Sequence, residues 1–443
     1  MEDLVMRRKR LAVIIGALGA IFFFMAAGEL FAGGSKEAAS SAGASASVTT
    51  LQLDVTPPGD TKNADFAPIL AKFESQNPGV KVKVQTIPFA SYDSSIETAI
   101  RGGGGPDLME VNFVDLGTWH AAGFLTDISS KMAAAGISAD RYNPGFYKDG
   151  SIGGGQYGFP LDQDSRCVYY NKAIFDKYGL QPPKTWDDIL SISKVLKQHD
   201  IYGLALQMDN PWGAVWEVSG NLLVANNGRV LNEAGTKAIA ATDPGTIQTY
   251  TFLLDTMRPY YLPGISTMDG KTISSLFAGG KLGMYIGGPW VADNLKADNP
   301  DMVFGKGFGI ALNPVAPGTQ KTGAAGGGFF LGMNAKGSSQ DQAWKLMQVL
   351  TDKSNAKFWA QYHGGFPVWR GSADQAPWGT DPFYAAFIAQ LPTTASPVLP
   401  LSPQLPTIVQ NLYKQMQQIV TGSKTVAQGL ADFDTQTNAI LGQ

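Results

Sequence analysis

The sequence has very few residues that form disulfides or bind transition metals. It contains one cysteine, Cys167, and three histidines, His120, His199 and His363, among 443 residues. One cysteine cannot form an intramolecular disulfide, and no two of these four residues stand at the spacing of a zinc site. The apolar, strand-like segment around Cys167 favours an inert, buried thiol. We therefore expect no metal and no cofactor.

The chain also lacks an excess of positive charge. Its 34 Lys and Arg residues against 37 Asp and Glu residues give a formal net charge of -3. Nucleic-acid-binding proteins are usually basic, so we expect no nucleic-acid partner. Phosphate-binding P-loops and the G-x-S-x-G motif of serine hydrolases are absent. The length and the 44% hydrophobic content predict a globular protein of two or more domains.

The first 47 residues predict export. Four basic residues at 7–10 precede an apolar run at 11–27, and small residues follow. We assign 1–32 to a signal peptide cleaved after Ala32 and 33–47 to a flexible tether. An uncleaved membrane anchor is the alternative. No cysteine lies near the cleavage site, which excludes a lipoprotein, and the expected location is periplasmic or otherwise extracytoplasmic.

Strand and helix patterns alternate between residues 49 and 111. Strand patterns at 49–55, 80–84 and 108–111 are separated by helix patterns at about 65–76 and 91–101. This order predicts a doubly wound α/β lobe, whose ligands bind where the strands end. Glu110, Asn112 and Asp115 lie at such a strand end. Trp119 follows them and is either a core residue or part of a site.

The segment 155–178 is the part around which we expect the chain to be arranged. Asp162, Asp164 and Arg166 alternate in extended backbone, which directs all three side chains to one side. Asn171 is placed to cap a short helix that ends at Gly179. These charges are either surface charges beside a strand or a ligand-facing segment that crosses between two lobes.

Several aromatic residues and glycines stand at predicted loop edges. Trp212 follows an Asp-Asn-Pro sequence and Trp216 lies four residues later, as a packed pair or as a stacking platform. Trp290 follows Gly-Gly-Pro at the end of a strand, where it is exposed unless another segment covers it. Four more candidates lie in glycine-rich or turn-rich segments, where backbone can approach a ligand or a ring can face it: Gly327, Gly328, Phe366 and Trp369.

Five segments in collinear order carry a family resemblance. They are PGVKVKVQTIPF, GGGPDLMEV, YGFPLDQDSRCVYYNKAIFDKYGLQPPKTWDD, FAGGKLGMYIGGPW and AWKLMQVLTD. They resemble the extracellular solute-binding proteins of sugar ABC transporters, the family that includes maltose-binding protein. The resemblance runs from about residue 50 to the C-terminus. It implies the α/β, two-lobed type II fold of periplasmic binding proteins, with mixed β-sheets flanked by helices and with hinge crossings between the lobes.

The resemblance also implies lobes that are discontinuous in sequence. We expect lobe one at 48–162 and 316–372, and lobe two at 163–315 and 373–443. The crossings between them would fall near 161–164, 314–317 and 371–374.

Three site residues follow from the same resemblance. Asp164 matches an acidic sugar ligand of the family, and Trp290 matches a stacking tryptophan. Trp212 matches an aromatic contact that follows a proline, although Asn210 stands where the family has an acid. The helix after the proline-rich region has Ile408 and Val409 where the family often has an aromatic residue, which weakens the case for maltodextrins.

The resemblance implies a monomeric, non-catalytic component of an ABC importer. It would capture a sugar or oligosaccharide between its lobes and deliver it to the membrane permease. Aromatic planes suit the apolar faces of sugars, and carboxylates accept from their hydroxyls. The alternatives are a secreted carbohydrate-active enzyme that uses Asp162 and Asp164, and a binding protein for an amine or a peptide.

Overall fold

The computed structural model describes residues 48–57, 65–395 and 398–442. The predicted signal peptide and tether lie outside the described residues. The strands, in chain order, are β1 Thr49–Val55, β2 Val80–Thr86, β3 Leu108–Asn112, β4 Ser151–Ile152, β5 Gly155–Gln156, β6 Phe159–Pro160, β7 Asp162–Gln163, β8 Cys167–Asn171, β9 Tyr202–Leu204, β10 Leu282–Gly287, β11 Phe308–Ala311, β12 Ala324–Ala325, β13 Phe329–Met333, β14 Phe366–Pro367 and β15 Thr394–Ala395.

Helices flank these strands along the whole described chain. The α-helices are α1 Ala67–Gln76, α2 Phe89–Arg101, α3 Leu116–Ala121, α4 Ser129–Ala134, α5 Pro144–Asp149, α6 Lys172–Tyr178, α7 Trp186–Lys197, α8 Asn221–Ala225, α9 Pro244–Thr251, α10 Gly270–Ala278, α11 Val291–Asp298, α12 Gln340–Leu350, α13 Ala356–His363, α14 Ala385–Gln390, α15 Leu405–Val420 and α16 Val426–Ile440. Two π-helices, Gly213–Gly220 and Phe252–Thr256, precede α8 and follow α9.

The first sheet has five strands in the order β2-β1-β3-β13-β6. Strand β1 pairs in parallel with β2 and β3, and its residues Leu51, Leu53 and Val55 are fully buried. Parallel strands need crossover connections, which α1 provides between β1 and β2 and α2 provides between β2 and β3. The strand-helix alternation predicted for residues 49–111 is confirmed.

The second sheet has four strands in the order β11-β8-β10-β9. Strand β8 lies antiparallel to both β10 and β11, and its Tyr169 is fully buried. The side chain of Asn171 accepts a hydrogen bond from the backbone N–H of Ile174 and so caps α6. Gly179, at φ 65°, ends α6 in the left-handed conformation that glycine adopts without a steric penalty. The predicted cap and stop are both confirmed.

Within the part of the chain that the structure describes, the backbone passes between the two sheets three times. It leaves the first sheet after β6 and enters the second at β8. Val315 still pairs with Thr185, and β12 pairs with β15, whereas β13 belongs to the first sheet. The second passage therefore lies at 326–328. The third follows Trp369, which pairs with Tyr142, and precedes α14, whose Phe387 ring lies 6.1 Å from that of Tyr169.

No helix among the described residues has the length and apolar character needed to cross a bilayer.

Candidate functional site

The first crossing lies against the second one, backbone to backbone. The N–H of Asp164 donates to the carbonyl of Gly327 at 2.9 Å. A Cβ atom on Gly327 would lie 2.6 Å from the Phe113 ring, and one on Gly328, whose φ is +144°, would lie 2.4 Å from the carbonyl oxygen of Asp162. Both positions therefore require glycine. The sequence predicts that the backbone at these glycines approaches a ligand closely. In the structure, the backbone there lies close to the first crossing, at Asp162 and Asp164.

Arg166 is the centre of a buried ion cluster beside these crossings. Its Nε and Nη2 donate to the two carboxylate oxygens of Glu217 at 3.0 and 2.8 Å, and its Nη1 donates to Asp164 at 2.6 Å and to the carbonyl of Ala325 at 3.2 Å. The bidentate geometry is the one that a guanidinium fork favours. The cluster therefore joins the hinge crossing to the π-helix of the second lobe.

Arg166 is less exposed to solvent than the two carboxylates that it binds. The side chain of Arg166 is 6% exposed, whereas those of Asp164 and Glu217 are 14% and 24% exposed. Burial opposes the charge of Arg166, but the two carboxylates raise its pKa above the usual value. Burial raises the pKa of Asp164 to about 6, against the opposing effect of Arg166. The carboxylates are therefore the groups that a bound molecule can reach, and Arg166 fixes their positions.

Aromatic rings surround this cluster. The guanidinium carbon of Arg166 lies 5.2 Å from the centre of the Trp290 ring, which is cation–π geometry. Trp212 and Trp216 meet edge to face at 5.4 Å, so the predicted pair is packed. Trp216 is buried, donates to the carbonyl of Gly326 and meets Phe113 at 5.6 Å. Trp212 and Trp290 are only half-buried and keep part of their rings accessible.

The residues at the end of β3 divide into two groups. Glu110 is fully buried, and its carboxylate accepts from the hydroxyl and the N–H of Thr56. Asn112 is half-buried and accepts from the N–H of Val114 at 3.3 Å. Asp115 immediately precedes α3, and burial together with the nearby Asp93 raises its pKa well above the usual value. Asn112 and Asp115 are thus partly exposed at the end of β3, while Glu110 is enclosed by the protein.

A buried histidine joins two of the predicted site residues. His363 Nε2 lies 3.2 Å from a carboxylate oxygen of Glu110, and its Nδ1 lies 3.3 Å from one of Asp162. Burial alone would lower the pKa of His363, but the two carboxylates raise it to about 10. Asp162 also accepts from the N–H of Phe329 at 2.9 Å. Asp162 is therefore engaged in holding the crossing in place.

Two candidates lie away from the Arg166 cluster. Phe366 is fully buried and packs against Tyr384 and Phe387, each at 6.0 Å. Trp369 packs against Tyr142 at 4.8 Å. Trp119 is likewise fully buried and is a core residue. Their contacts are those of packed side chains.

Sequence reasoning missed Glu217 and His363 as members of these clusters. Glu217 follows Trp216 in the chain, and His363 is the first residue of the predicted loop 363–369. The sequence near each residue gives no indication of its charged partner. Among the described residues, no group of His, Cys, Asp and Glu side chains is arranged to hold a metal ion. Cys167 is buried, and burial raises the pKa of its thiol.

Residues 58–357 match the model of the bacterial extracellular solute-binding protein family. The chain belongs to this family. Relatives of this solute-binding protein cover most of its length. A putative binding protein of Brucella abortus is 26% identical over 391 residues, which are 85% of this chain and 89% of the relative. The diacetylchitobiose binding protein DasA of Streptomyces coelicolor is 26% identical and covers 79% of both chains.

Solved structures share the two-lobed fold of this solute-binding protein. An ABC transporter solute-binding protein of Thermotoga lettingae, bound with α-D-tagatose, superimposes with a TM-score of 0.75 at 25% identity, over 89% of this chain and all of the other. Maltose-bound MalE3 of T. maritima superimposes with the same TM-score at 20% identity, over 88% of this chain and all of the other. The predicted α/β, two-lobed type II fold is confirmed.

Proposed function

We propose that this protein is the substrate-binding component of an ABC importer that captures a sugar or oligosaccharide in the cleft between its lobes. The observation that carries the proposal is the arrangement around Arg166. Asp164 and Glu217 present partly exposed carboxylates, Trp290 presents a partly exposed ring over Arg166, and Trp212 presents one against Trp216. Carboxylates accept from hydroxyls in charge-assisted hydrogen bonds, and rings cover the apolar faces of a sugar.

The lobe boundaries belong to the proposal. As the resemblance implies, lobe one would comprise 48–162 and 316–372, and lobe two 163–315 and 373–443. The strand pairings favour a different second boundary, at 326–328, which would give residues 316–325 to lobe two. Residues Asn112 and Asp115 from lobe one and Trp212, Glu217 and Trp290 from lobe two would then face each other. A ligand that touches both lobes stabilises the closed arrangement, and the permease would bind that arrangement.

Export, a monomeric state and delivery to permease subunits complete the proposal. The relatives support the ligand class, because they include a maltotriose-binding protein and a multiple sugar-binding protein. The enzyme alternative has less support, since Asp162 is bound to His363 and to the N–H of Phe329 and is not free to act beside Asp164.

A ligand screen tests the proposal. The protein is heated with mono- and oligosaccharides, polyamines and short peptides, because a ligand that binds only the folded state raises the melting temperature. At a ligand concentration of 100 times Kd the stabilisation is about 2.7 kcal/mol. We expect sugars alone to shift the transition, and calorimetry with product analysis to show saturable binding without turnover. A shift produced only by polyamines or peptides, or sugar cleavage, would overturn the proposal.

A further inference from the structure

A cavity of about 300 Å³ lies beside Trp290, between parts of both lobes. One wall is helix α13, which is tied to the first sheet by the hydrogen bond from Tyr362 to the carbonyl of Thr56. The opposite wall is helix α11, which follows β10 of the second sheet. The volume lies at the lower end of the range of about 300–1,000 Å³ found for small-molecule sites. None of the candidate residues predicted from sequence lines it except Trp290.

The walls of this cavity are mostly apolar and include six aromatic rings, and its rim is polar. The rings come from three separate chain segments: Trp290, Phe304, Phe308, Trp378, Phe383 and Tyr384. The rim carries the side chains of Asp293, Lys296 and Gln361, all of them exposed. A space with ring walls and hydrogen-bonding groups at its edge suits a flat molecule with apolar faces and a hydroxylated edge.

The rings are held in place by contacts inside the protein. The indole N–H of Trp378 donates to the carbonyl of Gly365 at 2.9 Å, and Trp378 is buried. Tyr384 meets Phe383 edge to face at 4.8 Å. Gly364 approaches the backbone side of Trp290, since a Cβ atom on Gly364 would lie 3.5 Å from the Cβ of Trp290. A ligand would therefore enter a preformed space with little ordering of side chains.

We propose that this cavity binds one further ring of an oligosaccharide whose neighbouring ring contacts Trp290 on the side of Asp164. Trp290 belongs to both places, because its ring lies 5.2 Å from the Arg166 guanidinium and also lines the cavity. The inference rests on the proposed function and makes it narrower: the ligand has two or more sugar rings. Because the cavity has walls from both lobes, the additional ring favours the closed arrangement.

Substitutions that fill the cavity with a larger side chain test this inference. Ala292 lines the cavity from α11, and Ala297 lies exposed on the same helix outside it. The variants Ala292→Phe and Ala297→Phe add the same side chain to the same helix, inside and outside the space. Calorimetry measures glucose, maltose and maltotriose, and also N-acetylglucosamine and diacetylchitobiose, so that each series contains a single ring and a longer member. Ala292→Leu serves as a smaller filling variant, and circular dichroism verifies the fold of each variant.

We expect Ala292→Phe to weaken binding of the longer sugar by about tenfold or more while the single ring keeps its affinity. Ala297→Phe should bind both as the wild type does. An equal loss for both lengths would overturn the inference, since it would mean that the cavity only forms part of the closing interface. Unchanged binding by both filling variants, or a wild type that binds the single ring as tightly, would also overturn it while the proposed function stands. A wild type that binds no sugar would overturn the proposed function itself.

Discussion

The carboxylate of Glu217 receives two hydrogen bonds from one guanidinium, from Nε of Arg166 at 3.0 Å and from Nη2 at 2.8 Å. The two residues are 51 positions apart, and their pairing fixes the π-helix of the second lobe against the hinge crossing. The same guanidinium binds Asp164, so one buried cation orients two carboxylates. A site with preset acceptors loses less entropy when a ligand binds.

Replacing Glu217 with Gln tests this arrangement. The amide keeps the shape but removes a charge from a buried pair, so we expect the free energy of unfolding to fall by about 1–3 kcal/mol. Sugar affinity should fall as well, because one charged acceptor is lost. Chemical denaturation and calorimetry measure the two effects. Glu233→Gln is the control, since the Arg229–Glu233 pair is exposed and should change neither quantity. Equal behaviour of the two variants would contradict the role of Glu217.

Asp164 gives ligand binding a pH dependence. Burial raises the pKa of Asp164 to about 6, so the carboxyl gains a proton as the pH falls below that value and loses its strength as an acceptor. We expect sugar affinity to fall below pH 6, by up to about tenfold per pH unit. Asp164→Asn should weaken binding at pH 7.5 by about 1–3 kcal/mol and remove most of the pH dependence. Titration calorimetry from pH 4.5 to 8 measures both, and an unchanged slope in the variant would refute the assignment.

His363 gives stability a pH dependence of the opposite kind. Its pKa is raised from 6.5 to about 10 by Asp162 and Glu110. The folded state therefore holds the proton more tightly than the unfolded state. The stabilisation is fully present below pH 6.5 and is lost as the pH rises towards 10. We expect the free energy of unfolding to decrease across this window. His363→Gln should flatten the decrease, and equal pH profiles for the variant and the wild type would contradict the ion cluster.

Trp290 and Trp369 provide a matched pair of substitutions. Both are half-buried, but Trp290 faces Arg166 and the cavity whereas Trp369 packs on Tyr142. We expect Trp290→Ala to lower sugar affinity by about 2 kcal/mol or more, the scale of an aromatic hot spot. Trp369→Ala should lower the melting temperature and leave affinity unchanged. Calorimetry and thermal denaturation of both variants measure this, and normal binding by Trp290→Ala would remove the stacking role.

Local signals in the sequence were sufficient for much of the fold. Period-two strands and the cap and stop of α6, at Asn171 and Gly179, depend on residues close together in the chain, so the sequence predicts them well. The helix pattern around Trp216 was less informative, because nothing local distinguishes the π-helix Gly213–Gly220 from an α-helix.

The clusters at the hinge depend on contacts between distant residues. The alternation at residues 162–166 predicts that Asp162 faces a ligand, but its partner His363 lies about 200 positions away and no local pattern links the two. The pairing of Asp164 with Gly327 is similarly remote. The resemblance to a known family indicated Asp164 and Trp290, whereas Glu217 required the structure because its role comes only from its position next to Arg166.

Gly327 and Gly328 also bear on motion between the lobes. At these positions the crossing strands leave no room for a methyl group, which would meet the Phe113 ring at Gly327 and the carbonyl oxygen of Asp162 at Gly328. A hinge rotation changes a few backbone torsion angles, and glycine is the residue that accommodates such changes most readily. We therefore expect these two residues to influence the resting angle between the lobes, and with it the fraction of molecules that are ready to bind a solute, independently of any contact with the solute.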